Sequence, residues 1–461
     1  MPRMHAFITR RTRPLWRTGL LCGSLVFGAA ACNTETFLAV EDPDIINPSD
    51  VQSAAGANAV RLGAIARLNS ASSGGESFLL LGGLFTDEYI NGDSFIARQE
   101  IDQRVITIQN SFMTDASRAL HRARLSAQQA LELLEEFNPT APGWQPAEMY
   151  LVQAYIENLA AEHFCNGLVF SSVVDGAEIY GSPITTTDAF TRALAHADSG
   201  LALVTGTTND DNRVRNALRV IKGRILMNLN RPAEASTAVN GIATTFVYNM
   251  LHAQTATSNQ MWSLNNSIGR YSIGDGVAAN SIDFATAADP RVPVCIATAA
   301  ACRATGVTRT NRDDLATPLY VQLVWPARES SVAIISGIEA RMIEAEAQLA
   351  ASNSAGALTT LNTARATVTG LQPLTDAGTA DARVNQLFRE RAFWLFGRGY
   401  RLGDMRRLVR QYNRPAGSVF PSGTWHKGGN YGADLNFPIP QAELNNPNLP
   451  QGATTCLDRN A

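Results

Sequence analysis

Apolar residues recur at three- and four-residue spacing through 50–70, 112–137, 146–166, 187–204 and 213–229. That spacing lines one face of an α-helix and predicts helices in each stretch. The stripe Ala217, Ile221, Ile225 and Leu229 runs into Arg231-Pro232-Ala233-Glu234-Ala235, so a short break and a second, Ala-containing helix are predicted to follow. The clearest pair lies at 336–368. Ile338, Met342, Ala345 and Leu349 make one stripe, Asn353-Ser354-Ala355-Gly356 breaks it, and Leu358, Leu361, Ala364 and Val368 make the next. From about 246 to 335 the helical period fades. That stretch is rich in Asn, Ser, Thr and Gly, with Trp262, Tyr271 and Trp325 set among them. Long loops of this kind in a folded protein are usually functional or disordered. Pro415 to Asn436 has the same character.

Small residues let the two helices of a hairpin approach closely, so the pairs are tetratricopeptide-like, although the strict repeat of ~34 residues is absent. A chain of 461 residues is long enough for two or three domains. Yet no Pro-rich tract, Gly/Ser run or block of like charge marks a linker. A single, mainly α body is therefore expected over 32–461. Helical hairpins would fill about 50–245 and 336–410, and loop-rich segments about 246–335 and 411–461.

Residues 1–31 carry Arg3, Arg10, Arg11, Arg13 and Arg17 and no acid, with an apolar run from Thr18 to Ala31. A basic start before a short apolar core is a secretory signal. The core falls short of the ~20 apolar residues that span a bilayer comfortably. Gly28-Ala29-Ala30-Ala31-Cys32 has the small residues of a lipobox, which makes Cys32 the expected lipidation site. Ordinary cleavage after Ala-x-Ala is the alternative. Several acyl chains on such a Cys anchor firmly, where one holds weakly. Losing the leader removes five arginines and no acid, so the net charge of −3 becomes −8. A mildly acidic chain argues against a nucleic-acid partner, because phosphate backbones are bound by basic faces.

With Cys22 in the leader and Cys32 taken by lipid, Cys165, Cys295, Cys302 and Cys456 remain. An even number in an exported protein favours disulfides. Cys295 and Cys302 close a short loop rich in Ala and Thr and are expected to pair, which leaves Cys165 for Cys456. Metal binding is the rival use. No CxxC and no nearby His pair supports it, so no metal or other cofactor is expected.

Several short motifs follow in order. The late hairpin reads Glu344-Ala345-Glu346-Ala347, Gly356, Ala357-Leu358, Leu361-Asn362 and Arg365. Glu390-Arg391 then runs into Gly399, Arg401, Asp404, Arg406 and Arg407. Pro438-Ile439-Pro440 is followed by Glu443, Asn446-Pro447 and Leu449. Asp289-Pro290-Arg291 and the Asp- and Pro-rich stretch from Asn33 through Val40 to Pro48 complete the set. In this order, behind a leader ending in Cys, they resemble the SusD/RagB family of outer-membrane nutrient-binding lipoproteins, and they span nearly the whole chain. There are departures. Trp394 and Arg398 stand where the family usually has Glu, and Gln451-Gly452-Ala453-Thr454-Thr455-Cys456 replaces its closing Gln-Asn-x-Gly-Tyr. In this divergent ending a Cys165–Cys456 bond would pin the tail. The resemblance implies a SusD-like fold and a lipid-anchored, outward-facing outer-membrane protein. It further implies binding of an oligomeric nutrient, glycan or peptide, and delivery to a TonB-dependent, SusC-like transporter whose barrel it covers.

Arg401, Asp404, Arg406 and Arg407 invite an anion-site reading. Three apart on a helix, Arg401 and Asp404 can pair, and the other guanidiniums can brace carbonyls, so the cluster is read as a fold marker. No Gly-x-Ser-x-Gly elbow, His-Glu-x-x-His or Gly-Lys-Ser/Thr phosphate loop is present. Nothing sets Glu135-Glu136 opposite another carboxylate, as glycoside hydrolysis needs. A non-enzyme is expected. For binding, aromatic faces pack on sugar C–H faces while amides and carboxylates fix hydroxyls. Trp262 with Asn265, Asn266, Arg270 and Tyr271 is the best such constellation, and Asp87, Tyr89, Asn91, Asp93, Phe95 and Arg98 the second. The plainer use of any one of them is to plug a satellite core. A tetratricopeptide-like periplasmic scaffold is the alternative function.

Overall fold

Helices with well-made starts carry the first half of the described chain. The structure is a computed structural model that describes residues 51–174, 177–314, 319–449 and 455–461. The expected signal peptide, Cys32 and the motif from Asn33 to Pro48 lie outside the described residues. In order come α1 (Ala54–Ser70), α2 (Phe78–Phe85), β1 (Tyr89–Asn91), α3 (Ile96–Gln103), α4 (Ser111–Phe137) and α5 (Trp144–His163). The small hairpin β2 (Ser172–Val174) and β3 (Ala177–Ile179) precedes α6 (Thr186–Leu203), α7 (Asn209–Asn228) and α8 (Pro232–Val239). Both α6 and α7 begin with a capping box, Thr185 with Asp188 and Thr208 with Asp211, which satisfies the first free backbone N–H groups. Pro232 opens α8 at a position where its missing N–H costs nothing.

These helices pack as successive antiparallel neighbours, α4 on α5, α5 on α6, α6 on α7 and α7 on α8, with α1 laid on α4. A Cβ added to Gly223 of α7 would lie 2.6 Å from Val239 Cγ1, so α8 sits too close for any larger residue. Two elements escaped the periodic reading. Helix α2, FLLLGGLF, is buried on every side, and a helix apolar all round shows no stripe. Helix α3 is a short link with one buried edge.

The loop-rich part is held by short antiparallel pairs. Strand β4 (Val247–Met250) pairs with β8 (Val332–Ser336), which closes the neck of the stretch between them. Inside that stretch lie a π-helical turn (Trp262–Ser267), β5 (Tyr271–Ile273), β6 (Val294–Ile296), the single turn α9 (Ala300–Arg303) and β7 (Tyr320–Gln322). Strand β6 pairs with β7. Ala297, Cys302, Val307, Leu319 and Val321 form a small core of their own beneath it, and Cys295 is bonded to Cys302 across it. The other disulfide joins Cys165, just beyond α5, to Cys456 in the tail.

Helix α10 (Gly337–Ala350) packs on α7, α8 and α11 (Ser354–Arg365), and α12 (Ala380–Trp394) packs on α10. Helix α13 (Arg401–Arg410) follows. The dispersed sequence motifs meet here. Asp404 accepts two bonds from Arg391, both 2.8 Å, and one of 3.0 Å from Arg407. Arg407 also holds Glu346, and Nη1 of Arg406 reaches the carbonyls of Ala161, Glu162 and Phe164, each at 2.9 Å. Glu390 binds Arg291, itself paired with Asp289, and Arg365. The cluster is therefore structural. The expected Arg401–Asp404 pair does not form, because Arg391 of α12 takes Asp404 from the side with both nitrogens. Among the described residues no helix is long and apolar enough to cross a membrane.

Candidate functional site

Strand β1 pairs antiparallel with β5, Tyr89 opposite Ile273 and Asn91 opposite Tyr271. The two constellations read from the sequence, some 180 residues apart, thereby lie side by side. The turn that leaves β1 is tightly made. Asn91 and Asp93 exchange bonds of 3.0 and 3.2 Å, and Asp93 Oδ1 accepts from Phe95 N–H at 2.9 Å. Arg98 is the hub beneath this turn. Its guanidinium grips Glu76 at 2.5 and 2.6 Å and reaches Asp93, and it lies 4.0 Å over the Phe112 ring. Burial pushes the Asp93 carboxyl up, and Arg98 pulls it back.

Most of the expected binding residues are consumed in such work. Tyr271 is fully buried and donates its hydroxyl to Glu76 at 2.7 Å. The Tyr89 ring lies between Tyr271 and Phe396. Asp87, buried with a left-handed backbone, accepts from the Tyr431 hydroxyl at 3.3 Å, and burial pushes its carboxyl well up. Asn265 donates to the carbonyls of Tyr271 and Tyr320 and accepts from Gln322 N–H, bracketing β5 and β7. Asn266 likewise binds Gln322. The polar atoms of Tyr271, Asn265 and Arg98 are turned inward onto the partners that burial demands. Tyr89 and Asp87 are buried beside them, the Tyr89 hydroxyl without a hydrogen-bond partner, which leaves little of these five side chains for a ligand to reach.

What stays open is Phe95, 49% exposed, next to Ile96 at 72%. Arg270 stacks its guanidinium 5.2 Å from the Phe95 ring centroid, and its Nε lies 3.8 Å from Asp313. Arg309 binds the other oxygen of Asp313 at 2.6 Å. Lys427, arriving from the tail, donates to the Asp93 carbonyl and stands 3.5 Å from Asp314. These side chains are half-buried to exposed, and two of the three ion pairs, Arg270–Asp313 and Lys427–Asp314, are long. Trp262 lies in a cleft of about 390 Å³ with Gln254, Asn266, Arg328 and Glu329. The segment from Thr305 to Asp314 serves both places: Thr305 to Thr308 line the Trp262 cleft, and Arg309 and Asp313 line the Phe95 patch.

Arg309, Asp313, Asp314 and Lys427 were not singled out in the sequence. They lie in loops without periodicity, drawn together by backbone bonds of Gly92 to Arg270 and Asp314 and of Asp313 to Gly269, and by the Lys427 side chain on the Asp93 carbonyl. Among the described residues no group of three or more His, Cys, Asp or Glu is arranged to hold a metal ion.

No model of a known protein family matches the sequence, and no curated protein matches it either. Solved structures do. A SusD superfamily protein from Parabacteroides distasonis superposes with a TM-score of 0.63 at 15% identity, over 87% of this chain and 99% of that one. A second, from Bacteroides fragilis, gives 0.62 at 15% identity over 85% and 97%. A SusD-like carbohydrate binding protein from Bacteroides vulgatus gives 0.56 at 12% identity over 77% and 83%. The fold of this chain is the SusD-superfamily fold.

Proposed function

We propose that this chain is an outward-facing outer-membrane lipoprotein, anchored through Cys32, that binds an oligomeric glycan or peptide and passes it to a TonB-dependent transporter. The observation that carries the reading is the surface running from Phe95 and Arg270 along the 305–314 segment to the Trp262 cleft. Phe95 and Trp262 offer flat faces to sugar C–H groups or apolar side chains. Arg270, Arg309, Asp313 and Lys427 offer donors and acceptors in a fixed order around them. A shallow, mixed surface of this kind suits an extended ligand held at several points, since a few well-placed polar groups orient what apolar contact holds. The name of the Bacteroides vulgatus neighbour supports a glycan. No bond is broken in this role, and the stacked hairpins α4 to α8 supply a rigid face for the transporter.

The test is an affinity pull-down of the tagged, lipidated protein from gently solubilised outer membrane, with partners identified by mass spectrometry. Recovery of a large TonB-dependent barrel is expected. Soluble periplasmic partners alone, or none, would overturn the uptake reading in favour of a scaffold.

A further inference from the structure

One stripe of α4 faces a second cleft, of about 220 Å³, closed on the far side by the 169–171 segment and by Pro440 to Glu443. Ser117, His121 and Arg124 of that stripe line it, with Ser171 and Glu443 opposite. Arg124 is fully buried. One nitrogen donates to the Ser171 carbonyl, while Nε and Nη1 have no partner. The nearby carboxylate Glu157 is already engaged by Arg192 and His196, each at 2.7 Å. Glu443 lines the same cleft, and burial alone, with no contribution from Arg124, raises its carboxyl. The Arg124 guanidinium lies 5.4 Å from the Phe170 ring centroid and feels the Glu157 charge without bonding to it. A buried guanidinium with no hydrogen-bonded counter-ion is costly, and an anion drawn into the cleft would offset that cost.

The other walls fit an anion as well. The Ser171 hydroxyl accepts from Gly181 N–H at 3.2 Å, which leaves its own proton to donate, and the Ser117 hydroxyl is buried on the same stripe. Burial, then the Arg124 charge, lowers the His121 pKa to about 4, so this ring is neutral and keeps one N–H. The volume is below that of a cleft for a whole drug-sized ligand, ~300 Å³ and up.

We infer that this cleft is an oxyanion site in which Arg124, with the Ser117 and Ser171 hydroxyls, takes a sulfate, phosphate or carboxylate, either free or as a substituent of a sugar. The site shares no residue with the Phe95 and Trp262 surface, so it stands or falls apart from the uptake reading.

Calorimetric titration of the purified protein at constant ionic strength tests it, using sulfate, phosphate, acetate, galactose 6-sulfate and, as neutral control, galactose. Saturable binding of the anions is expected, weakened at least tenfold in Arg124→Met and tightened severalfold in Glu443→Gln, which removes a like charge from the rim. Absence of saturable anion binding, or equal affinity in Arg124→Met, would overturn the site. Should Arg124→Met fail to fold, Glu443→Gln decides alone, and an unchanged sulfate affinity there counts against the proposal. Tighter binding of galactose 6-sulfate than of sulfate supports a charged substituent as the ligand. Equal binding supports the free ion.

Discussion

The ion cluster of α12 and α13 and the patch around Phe95 are built from the same residue types, arginine, carboxylate and aromatic ring, in opposite surroundings. Around Asp404 and Glu390 the partners are buried and meet at 2.6–3.2 Å, often with two bonds to one guanidinium. Around Phe95 they are partly exposed, and contacts stretch to 3.5 and 3.8 Å. The first arrangement cannot release a partner without stranding a charge in the core. The second keeps its charges partly in water, where the loss of one contact costs little. Like composition thus yields a locked scaffold in one place and, in the function proposed above, a binding surface in the other, and burial decides which.

That contrast can be broken by substitution. Asp404→Ala takes from Arg391 its bidentate partner, while Arg407 keeps Glu346, and is expected to cost about 3–5 kcal/mol of stability, read by chemical denaturation; a loss near zero would remove the scaffold role. Replacing Cys165 and Cys456 by Ser is expected to cost about 2–4 kcal/mol, visible as a shifted unfolding midpoint in the absence of reductant.

A subtler effect is expected from Glu88. It is buried, accepts from Gly397 N–H, and burial raises its carboxyl to about 7. Its folded pKa exceeds its unfolded one, so the folded state holds the proton more tightly. The stability this supplies is complete below about pH 4.5 and is lost as pH rises through about 7. Glu88→Gln should flatten that slope in a pH series of denaturation curves. Smallest for the fold is Phe95→Ala, expected to move stability by less than about 1 kcal/mol. The same change should weaken binding of any glycan or peptide captured by the wild type about tenfold, or ~1.4 kcal/mol. Equal affinity in the variant would take Phe95 out of the surface.

The hairpins were legible because their stripes are one-sided. Asn209–Asn228, with its Thr208 and Asp211 start, follows from residues close in sequence, as does the break at Asn353 between α10 and α11. The motif arginines marked the fold for a related reason: a buried guanidinium needs particular partners, so its surroundings leave little freedom. Asn265 and Tyr271 misled. A polar residue in a polar stretch reads as exposed, and it takes the distant strand β7, together with the nearby β5, to turn Asn265 into a buried bracket. Lys427 and Asp313 were silent because their meaning arises from loops that converge in space, with no local pattern to announce it.

The bond between Cys165 and Cys456 spans 291 positions of the chain. It turns everything between them into a covalent ring, and the ring contains Trp262, Arg270, Arg309, Asp313 and Lys427. A protease that cuts any one loop inside the ring opens it without releasing a fragment. Both halves stay tethered, and the nicked molecule keeps its full mass until a reductant arrives. Survival of a single cut is a form of durability that packing alone does not provide.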